Sequence, residues 1–190
     1  MAPKVDIRIQ KTKERLKAAL LSLLEVKSID RITISEICRV SGINRNTFYQ
    51  HYTDIRDLLS EIEGELMEAV FSSISISDKT VTSVREIMQL LLENIKKHQA
   101  TCLLLLSDNG DKNFLRNILM FALPSAVENW VRTLGIAKED ATILYYVVMG
   151  GAVNVIEAWI KDSFSSSLDE IADKLNAMII RSQEALSVSQ

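Results

Sequence analysis

The stretch TISEICRVSGINRNTFYQHY, residues 33–52, predicts two short helices that are joined by a tight turn. Thr33 and Glu36 have the spacing of a capping box, which satisfies two backbone N–H groups at the start of a helix. Gly42 can adopt the left-handed conformation that ends this helix, and Asn44 can cap the next one. Two helices joined by a short glycine turn form a helix-turn-helix, a unit whose second helix can enter the DNA major groove.

The second helix of this unit has an outer surface rich in hydrogen-bonding side chains. Phe48 and Tyr52 are four residues apart and therefore share the face that packs inward. Arg45, near the helix start, can donate to both O6 and N7 of a guanine, and Asn46 and Gln50 can bind adenine. We therefore predict that these three side chains read bases.

Other groups of the unit can hold DNA without reading its sequence. The Thr47 side chain can contact either a phosphate or a thymine methyl group. The exposed amides at the helix start beside Thr33 can bind phosphate. The alternative interpretation is a helical hairpin whose polar side chains are simply solvated.

The longer run GINRNTFYQHYTDIRDLL, residues 42–59, resembles the signature of the TetR family of bacterial transcriptional regulators. In that family a glycine turn leads to T-F-Y-x-H-F/Y and then to an acidic helix start that carries leucines. The matching positions are Gly42, Thr47, Phe48, Tyr49, His51, Tyr52, Asp54, Leu58 and Leu59. The resemblance implies an N-terminal DNA-binding head and a dimeric, all-helical body that usually holds an effector.

The same resemblance implies roles for three more side chains. Tyr49 and His51 would hydrogen-bond phosphates, although a partly buried Tyr49 and a packing role for His51 are the alternatives. The family usually has a lysine directly after the residue that matches Asp54, and here that position is Ile55. We expect Arg56, one residue later, to replace this phosphate contact from a different direction.

The net charge of −3 divides unevenly along the chain. Residues 1–53 carry ten Lys/Arg and five Asp/Glu, a net +5, so the remainder carries −8. A basic head on an acidic body is expected when one end of a protein meets phosphate. Lys11 and Lys13 lie in the basic first helix of the head, and we assign them backbone contacts without sequence information. The alternative is a solvated helix face.

The chain as a whole is predicted to be all-α, because every segment with clear periodicity repeats at three or four residues. We predict a three-helix helix-turn-helix domain at residues 1–54, a connecting helix at 55–76, and a helical effector-binding and dimerisation domain at 77–190. A mobile arm is expected at residues 1–9, before the first helix begins at Gln10. The polar stretch 72–82 is expected to mark the domain boundary.

The last two predicted helices have the character of an assembly surface. In the TetR family, two carboxy-terminal helices from each subunit commonly form a four-helix dimer interface. The helix predicted at 140–161 is apolar on more than one face, and each glycine inside it costs about 1 kcal/mol relative to alanine. Close approach of another backbone would compensate that cost. We predict a homodimer interface formed by Gly150, Gly151, Val155, Trp159, Leu175, Met178 and Ile179.

Five aromatic side chains are candidate walls of an effector pocket, with ordinary core packing as the alternative for each. They are Phe114, Phe121, Trp130, Tyr145 and Trp159. No charged pair accompanies them, so we expect an apolar or small neutral effector. Local signals also place helix ends in this half: Ser83 and Glu86 form a second capping box, and Pro124 should start a helix that ends at Gly135.

Several classes of protein are disfavoured by the sequence. Cys38 and Cys102 lie at unrelated sites and, with only His51 and His98 beside them, predict neither a disulfide framework nor a metal site. No cofactor is predicted, and an enzyme is disfavoured because no nucleophile–base pair or glycine-rich phosphate loop stands out. The longest uncharged run, Ala141–Ile156, is shorter than the roughly 20 residues of a membrane span.

We therefore predict a cytoplasmic, homodimeric TetR-like repressor. It would bind a palindromic operator in double-stranded DNA and leave it when an unknown small molecule binds the body. The alternative is a helical DNA-binding regulator that is controlled by a protein partner instead of a small ligand. A repressor and an activator have the same sequence features.

Overall fold

The computed structural model describes residues 7–71, 83–111 and 113–187, and these residues contain helices and no strand. The all-α prediction is confirmed. The helices are α1 Ile7–Leu24, α2 Ile34–Ser41, α3 Arg45–Tyr49, α4 Ile55–Phe71, α5 Val84–Lys97, α6 Gln99–Leu105, α7 Phe114–Leu134, α8 Lys138–Lys161 and α9 Leu168–Ser187, with a 3-10 turn at Ile29–Arg31. Most of the expected arm and the expected polar connector, residues 72–82, lie outside the described residues.

The chain forms two compact units. The head unit contains the chain up to Met67 together with the segment Leu104–Lys112, and the body unit contains Glu68–Leu103 and the chain from Asn113 onward. The second segment of the head unit was not expected from the sequence. The domain limits at 54 and 76 stay predictions.

The head unit is built on the fully buried Leu16, Leu20, Ile37 and Phe48, where α1 packs on α2 and α2 on α3. Leu16 and Leu20 are four residues apart on one face of α1, while Ile37 belongs to α2 and Phe48 to α3, so burying these side chains brings the three helices together. Phe48 anchors α3 from its inner side. The opposite side of α3 is thereby left to solvent.

The body unit packs α5 against α9, α7 against α8, and α8 against α9. Nine side chains of α8 are buried, including Tyr145, Ile156 and Trp159. Other apolar side chains of the same helix remain exposed, namely Ile143, Val147 and Val155. The expectation of a helix that is apolar on more than one face is therefore confirmed.

Two expected helix starts are wrong. The first helix begins at Ile7 rather than Gln10, and α7 continues through Pro124 instead of restarting there. Proline removes the N–H that would bond to the carbonyl four residues earlier, a cost of about 3 kcal/mol or more in a helix interior. The helix persists because both of its halves are held by packing, through the buried Phe114 on one side and Val127 and Trp130 on the other.

Trp159 closes the connection between α8 and α9. Its indole N–H donates to the Ser166 carbonyl at 2.9 Å, and its ring meets the Phe164 ring edge to face at 4.7 Å. Ser163 and Phe164 have φ values of 53° and 59°, a left-handed conformation that is uncommon without glycine. The two contacts of Trp159 offset the energetic cost of that backbone conformation.

Among the described helices, α8 is the one long and apolar enough by composition to cross a membrane, and 39% of its most apolar window is buried. Core helices of soluble proteins pass the same test, so this observation is weak evidence for a membrane span.

Candidate nucleic-acid interface

The α2–α3 turn has the local geometry that the sequence predicts. Gly42 has φ +66° and ends α2 in the left-handed region, and the Asn44 side chain accepts a hydrogen bond from the Thr47 N–H at 2.8 Å. The predicted cap at Asn44 and the glycine turn are both confirmed. Together they fix where α3 begins and which of its sides faces the core.

The outer side of α3 carries the predicted DNA-contacting residues. Arg45, Asn46, Tyr49 and Gln50 are exposed, and Thr47 and His51 are half-buried. Tyr49 is 54% exposed and its ring meets the Phe48 ring edge to face, so it packs on the core residue while about half of its surface stays accessible. The helix thus presents a continuous polar face on a buried phenylalanine.

The start of α2 is held by the predicted capping box. Thr33 Oγ1 accepts from the Glu36 N–H at 3.3 Å, and the Thr33 N–H donates to Glu36 Oε2 at 2.9 Å. Lys27 Nζ lies 2.7 Å from the same carboxylate, and these bonds to Lys27 and Thr33 lower the pKa of Glu36 to about 2. The Thr33 N–H therefore already has a partner within the protein. The two bonds of the capping box fix the residue at which α2 begins.

The predicted backbone-contacting lysines of α1 differ in their surroundings. Lys13 donates to Glu61 at 2.8 Å, and its ammonium lies 5.4 Å from the centre of the Tyr52 ring. Lys17, one turn further on, binds both Glu61 and Glu65. Lys11 is exposed. Lys13 is therefore partly neutralised by α4, whereas Lys11 points its charge to solvent.

Arg56 binds two carboxylates of the head unit. It forms ion pairs with Asp30 in the 3-10 turn and with Asp111, at 3.4 Å, in the segment Leu104–Lys112. Asn109 of that segment accepts a hydrogen bond from the Ile29 N–H at 2.9 Å. Arg56 thus helps to hold this segment on the head, and a phosphate contact would have to compete with these two aspartates.

One basic residue of this surface was missed from the sequence. The Arg15 guanidinium lies beside Gly42, at the turn that leads into α3. The signal was available, because Arg15 is four residues after Lys11 and so shares its helix face.

The five aromatic candidates for an effector pocket fall into separate contacts within the body unit. Phe114, Trp130, Tyr145 and Trp159 are buried, whereas Phe121 is 52% exposed. The Trp130 and Tyr145 rings are 6.0 Å apart, Phe121 lies 5.3 Å from Phe71, and Trp159 packs on Phe164. These contacts are those of ordinary packing, and they do not outline a shared cavity.

An open groove of about 220 Å³ lies instead between α8 and α9. It is lined by Val147, Val148, Gly151, Ala152, Leu175, Met178, Ile179 and Ser182. Four of these residues belong to the predicted dimer interface, namely Gly151, Leu175, Met178 and Ile179. Among the described residues, a Cβ atom added at Gly150 or Gly151 would meet nothing within 4 Å outside the backbone of its own helix. The packing of the described residues therefore gives no reason for either glycine.

Potential metal ligands are scattered in the described parts of the chain, where no three His, Cys, Asp or Glu side chains converge. Cys38 and Cys102 are both buried free thiols.

Comparison with known proteins decides the family. The model of the TetR-type transcriptional regulator C-terminal region matches residues 82–181, which is more than half of the chain. The chain belongs to the TetR family of transcriptional regulators. This TetR-family regulator is 45% identical over 56 residues to the uncharacterised HTH-type regulator YxbF of Bacillus subtilis, a match that covers 29% of this chain and 15% of that protein.

Two further likenesses are to a curated regulator and to a solved structure. The HTH-type regulator AcrR of Shigella flexneri is 27% identical over 100 residues, which are 50% of this chain and 46% of that protein. The chain thus matches less than half the length of either curated relative. A crystal structure of a TetR regulator from Streptococcus agalactiae shares the fold, with a TM-score of 0.71 and 22% identity over 92% of this chain and 96% of that one.

Proposed function

We propose that this TetR-family regulator is a cytoplasmic, homodimeric repressor that binds a palindromic operator and leaves it when a small molecule binds the body unit. The observation that carries the proposal is the polar face of α3, which is exposed because Phe48 is fully buried behind it. Fixed on one side, such a helix can enter the major groove as a rigid reader.

The exposed side chains of α3 divide into two proposed roles. Arg45, Asn46 and Gln50 read bases, because their guanidinium and amide groups match the donor and acceptor patterns of guanine and adenine. Phosphates are contacted by Thr47, Tyr49 and His51, and from α1 by Lys11. Lys13 and Arg56 would make a weaker contribution, because both are ion-paired within the head unit.

The proposed dimer uses the groove between α8 and α9. Val147 and Met178, which line it, are 69% and 61% exposed, and contiguous exposed apolar side chains mark protein interaction sites. Gly151, which also lines it, would let a second helix approach closely. In a symmetric dimer, each copy would cover the exposed Val147 and Met178 of the other, and the helices would approach closely at Gly151.

The proposed effector controls DNA binding through thermodynamic linkage between the two binding equilibria. A ligand shifts DNA affinity only by its different affinity for the DNA-binding and non-binding conformations of the dimer. The proposed effector binds in the body unit and is an apolar or small neutral molecule, because no charged pair accompanies the aromatic residues there. Calorimetry with a metabolite panel, compared with affinity capture of proteins, separates small-molecule control from control by a protein partner.

Arginine and lysine variants test the DNA-binding proposal. Arg45→Ala should cost about 1–3 kcal/mol on the selected operator and relax the preference at one or two base pairs. Lys11→Ala should weaken binding to operator and random DNA alike. Arg132→Ala, in the last turn of α7, removes an exposed positive charge from the body unit and is the matched control. Equal losses on both DNAs for Arg45→Ala would refute base reading by Arg45.

A further inference from the structure

The guanidinium of Arg15 is seated over the turn that precedes the recognition helix. A Cβ atom added at Gly42 would lie 2.7 Å from Arg15 Nη2 and 3.9 Å from Cζ. Cβ atoms essentially never lie within 3.0 Å of such an atom, so with a side chain at residue 42 the flexible end of Arg15 would have to shift. Gly42 therefore serves the left-handed turn and also leaves room for Arg15.

The side of α1 that carries Arg15 is different from the side that is neutralised by α4. Lys13 and Lys17 are four residues apart and bind Glu61 and Glu65. Arg15 lies two residues from each, which is about 200° around a helix, so it faces away from α4. It is exposed, and within the part of the chain that the structure describes it forms no ion pair.

A second positive charge lies at the same turn. Arg45 begins α3 three residues after Gly42 and is exposed. Burial raises the pKa of the Cys38 thiol inside α2, and the positive charge of Arg45 opposes that rise. Arg15 and Arg45 thus bring positive charge to the glycine turn from α1 and from α3.

We infer that Arg15 binds a DNA phosphate beside the α2–α3 turn and thereby positions α3 in the major groove. A guanidinium can donate two parallel hydrogen bonds to a phosphate, a geometry that the ammonium of lysine lacks. Because the Arg15 guanidinium lies over Gly42, it is next to the α3 residues that enter the DNA major groove. Arg15 is a positioning residue that carries no sequence information itself. This inference rests on the proposed DNA binding.

The salt dependence of DNA binding tests the role. Each phosphate contact contributes about 0.9 to the slope of log affinity against log salt. Arg15→Gln should therefore reduce this slope by about 1. The loss of DNA affinity relative to the native protein should then be about threefold smaller at 200 mM salt than at 50 mM. The loss should be equal on operator and random DNA. Arg15→Lys should keep the slope and still bind several-fold more weakly.

Lys17→Gln is the matched control, because it removes the same charge from the same helix at a site already paired with Glu61 and Glu65. Its slope should equal that of the native protein. If Arg15→Gln lowers the melting temperature but leaves the slope unchanged, Arg15 only supports the turn and the inference is overturned. If Arg15→Gln does not fold, an Arg15→Lys protein with native affinity overturns it equally.

The same titrations separate this inference from the proposed function. A native protein that binds DNA, with specificity lost in Arg45→Ala and an unchanged slope in Arg15→Gln, would refute the role of Arg15 alone. A native protein without measurable DNA affinity would refute both.

Discussion

Replacing each helical glycine with alanine distinguishes packing within one chain from packing between two chains. In the described part of the chain, a Cβ atom added at Gly64 in α4, or at Gly150 or Gly151 in α8, would meet nothing within 4 Å outside the backbone of its own helix. Glycine in a helix interior costs about 1 kcal/mol relative to alanine. In an isolated chain each substitution should therefore raise the free energy of unfolding by about 1 kcal/mol, or the melting temperature by about 2–4 °C for a protein of this size.

If the dimer forms through the α8–α9 groove, the stabilisation by alanine should be reduced most at Gly151. Gly151 lines the groove, so a methyl group there would hold the partner helix away, while Gly64 lies in α4 and should show the full stabilisation. Gly151→Leu should cost about 1–3 kcal/mol of packing, which raises the dimer dissociation constant about 5- to 150-fold. Urea unfolding and sedimentation at several protein concentrations measure both effects, with Gly64→Ala as the control.

The opposite result is equally clear. If Gly151→Ala stabilises the protein as much as Gly64→Ala, and Gly151→Leu remains a dimer with full operator affinity, the glycines do not lie at a helix crossing. The interface would then have to be sought on α9.

Three further predictions concern local structure. Thr33→Ala should lower the free energy of unfolding by about 1 kcal/mol in urea titrations, and an equal loss in Thr33→Ser would show that the cap hydroxyl is not its cause. Trp159→Phe should cost about 1–3 kcal/mol, because it leaves the Ser166 carbonyl without its donor; an unchanged melting temperature would contradict this. Burial raises the pKa of the Cys38 thiol, and that of Cys102 to about 11, so native protein should react slowly with a thiol reagent at neutral pH. A thiol that reacts at once without denaturant would refute their burial.

Local capping signals made the helix-turn-helix predictable. The Thr33–Glu36 box, the left-handed Gly42 and the Asn44 cap each depend on residues within a few positions of one another, and all three form as the sequence predicts. The second box, at Ser83, forms as well. Such signals act through backbone N–H groups that a helix end must satisfy, so they hold in almost any tertiary context.

Contacts between distant residues could not be read in the same way. Pro124 gave a local signal to start a helix, and packing on both sides of it overrode that signal. The pairing of Arg56 with Asp111 spans 55 residues, and nothing near either residue indicates the other. The position of Arg15 over Gly42 likewise follows from how α1 crosses the turn. Tertiary packing, rather than local preference, decides these features.

Selection of binding sites from random-sequence DNA by the full chain tests the proposed dimeric reader most directly. The expected result is a palindrome with two half-sites whose centres are about one helical turn apart, ~34–36 Å, because a symmetric dimer presents two α3 helices. Each half-site should contain a guanine whose selection is lost with Arg45→Ala. Enrichment of a single asymmetric site, or of no sequence at all, would contradict a dimer that reads DNA through α3.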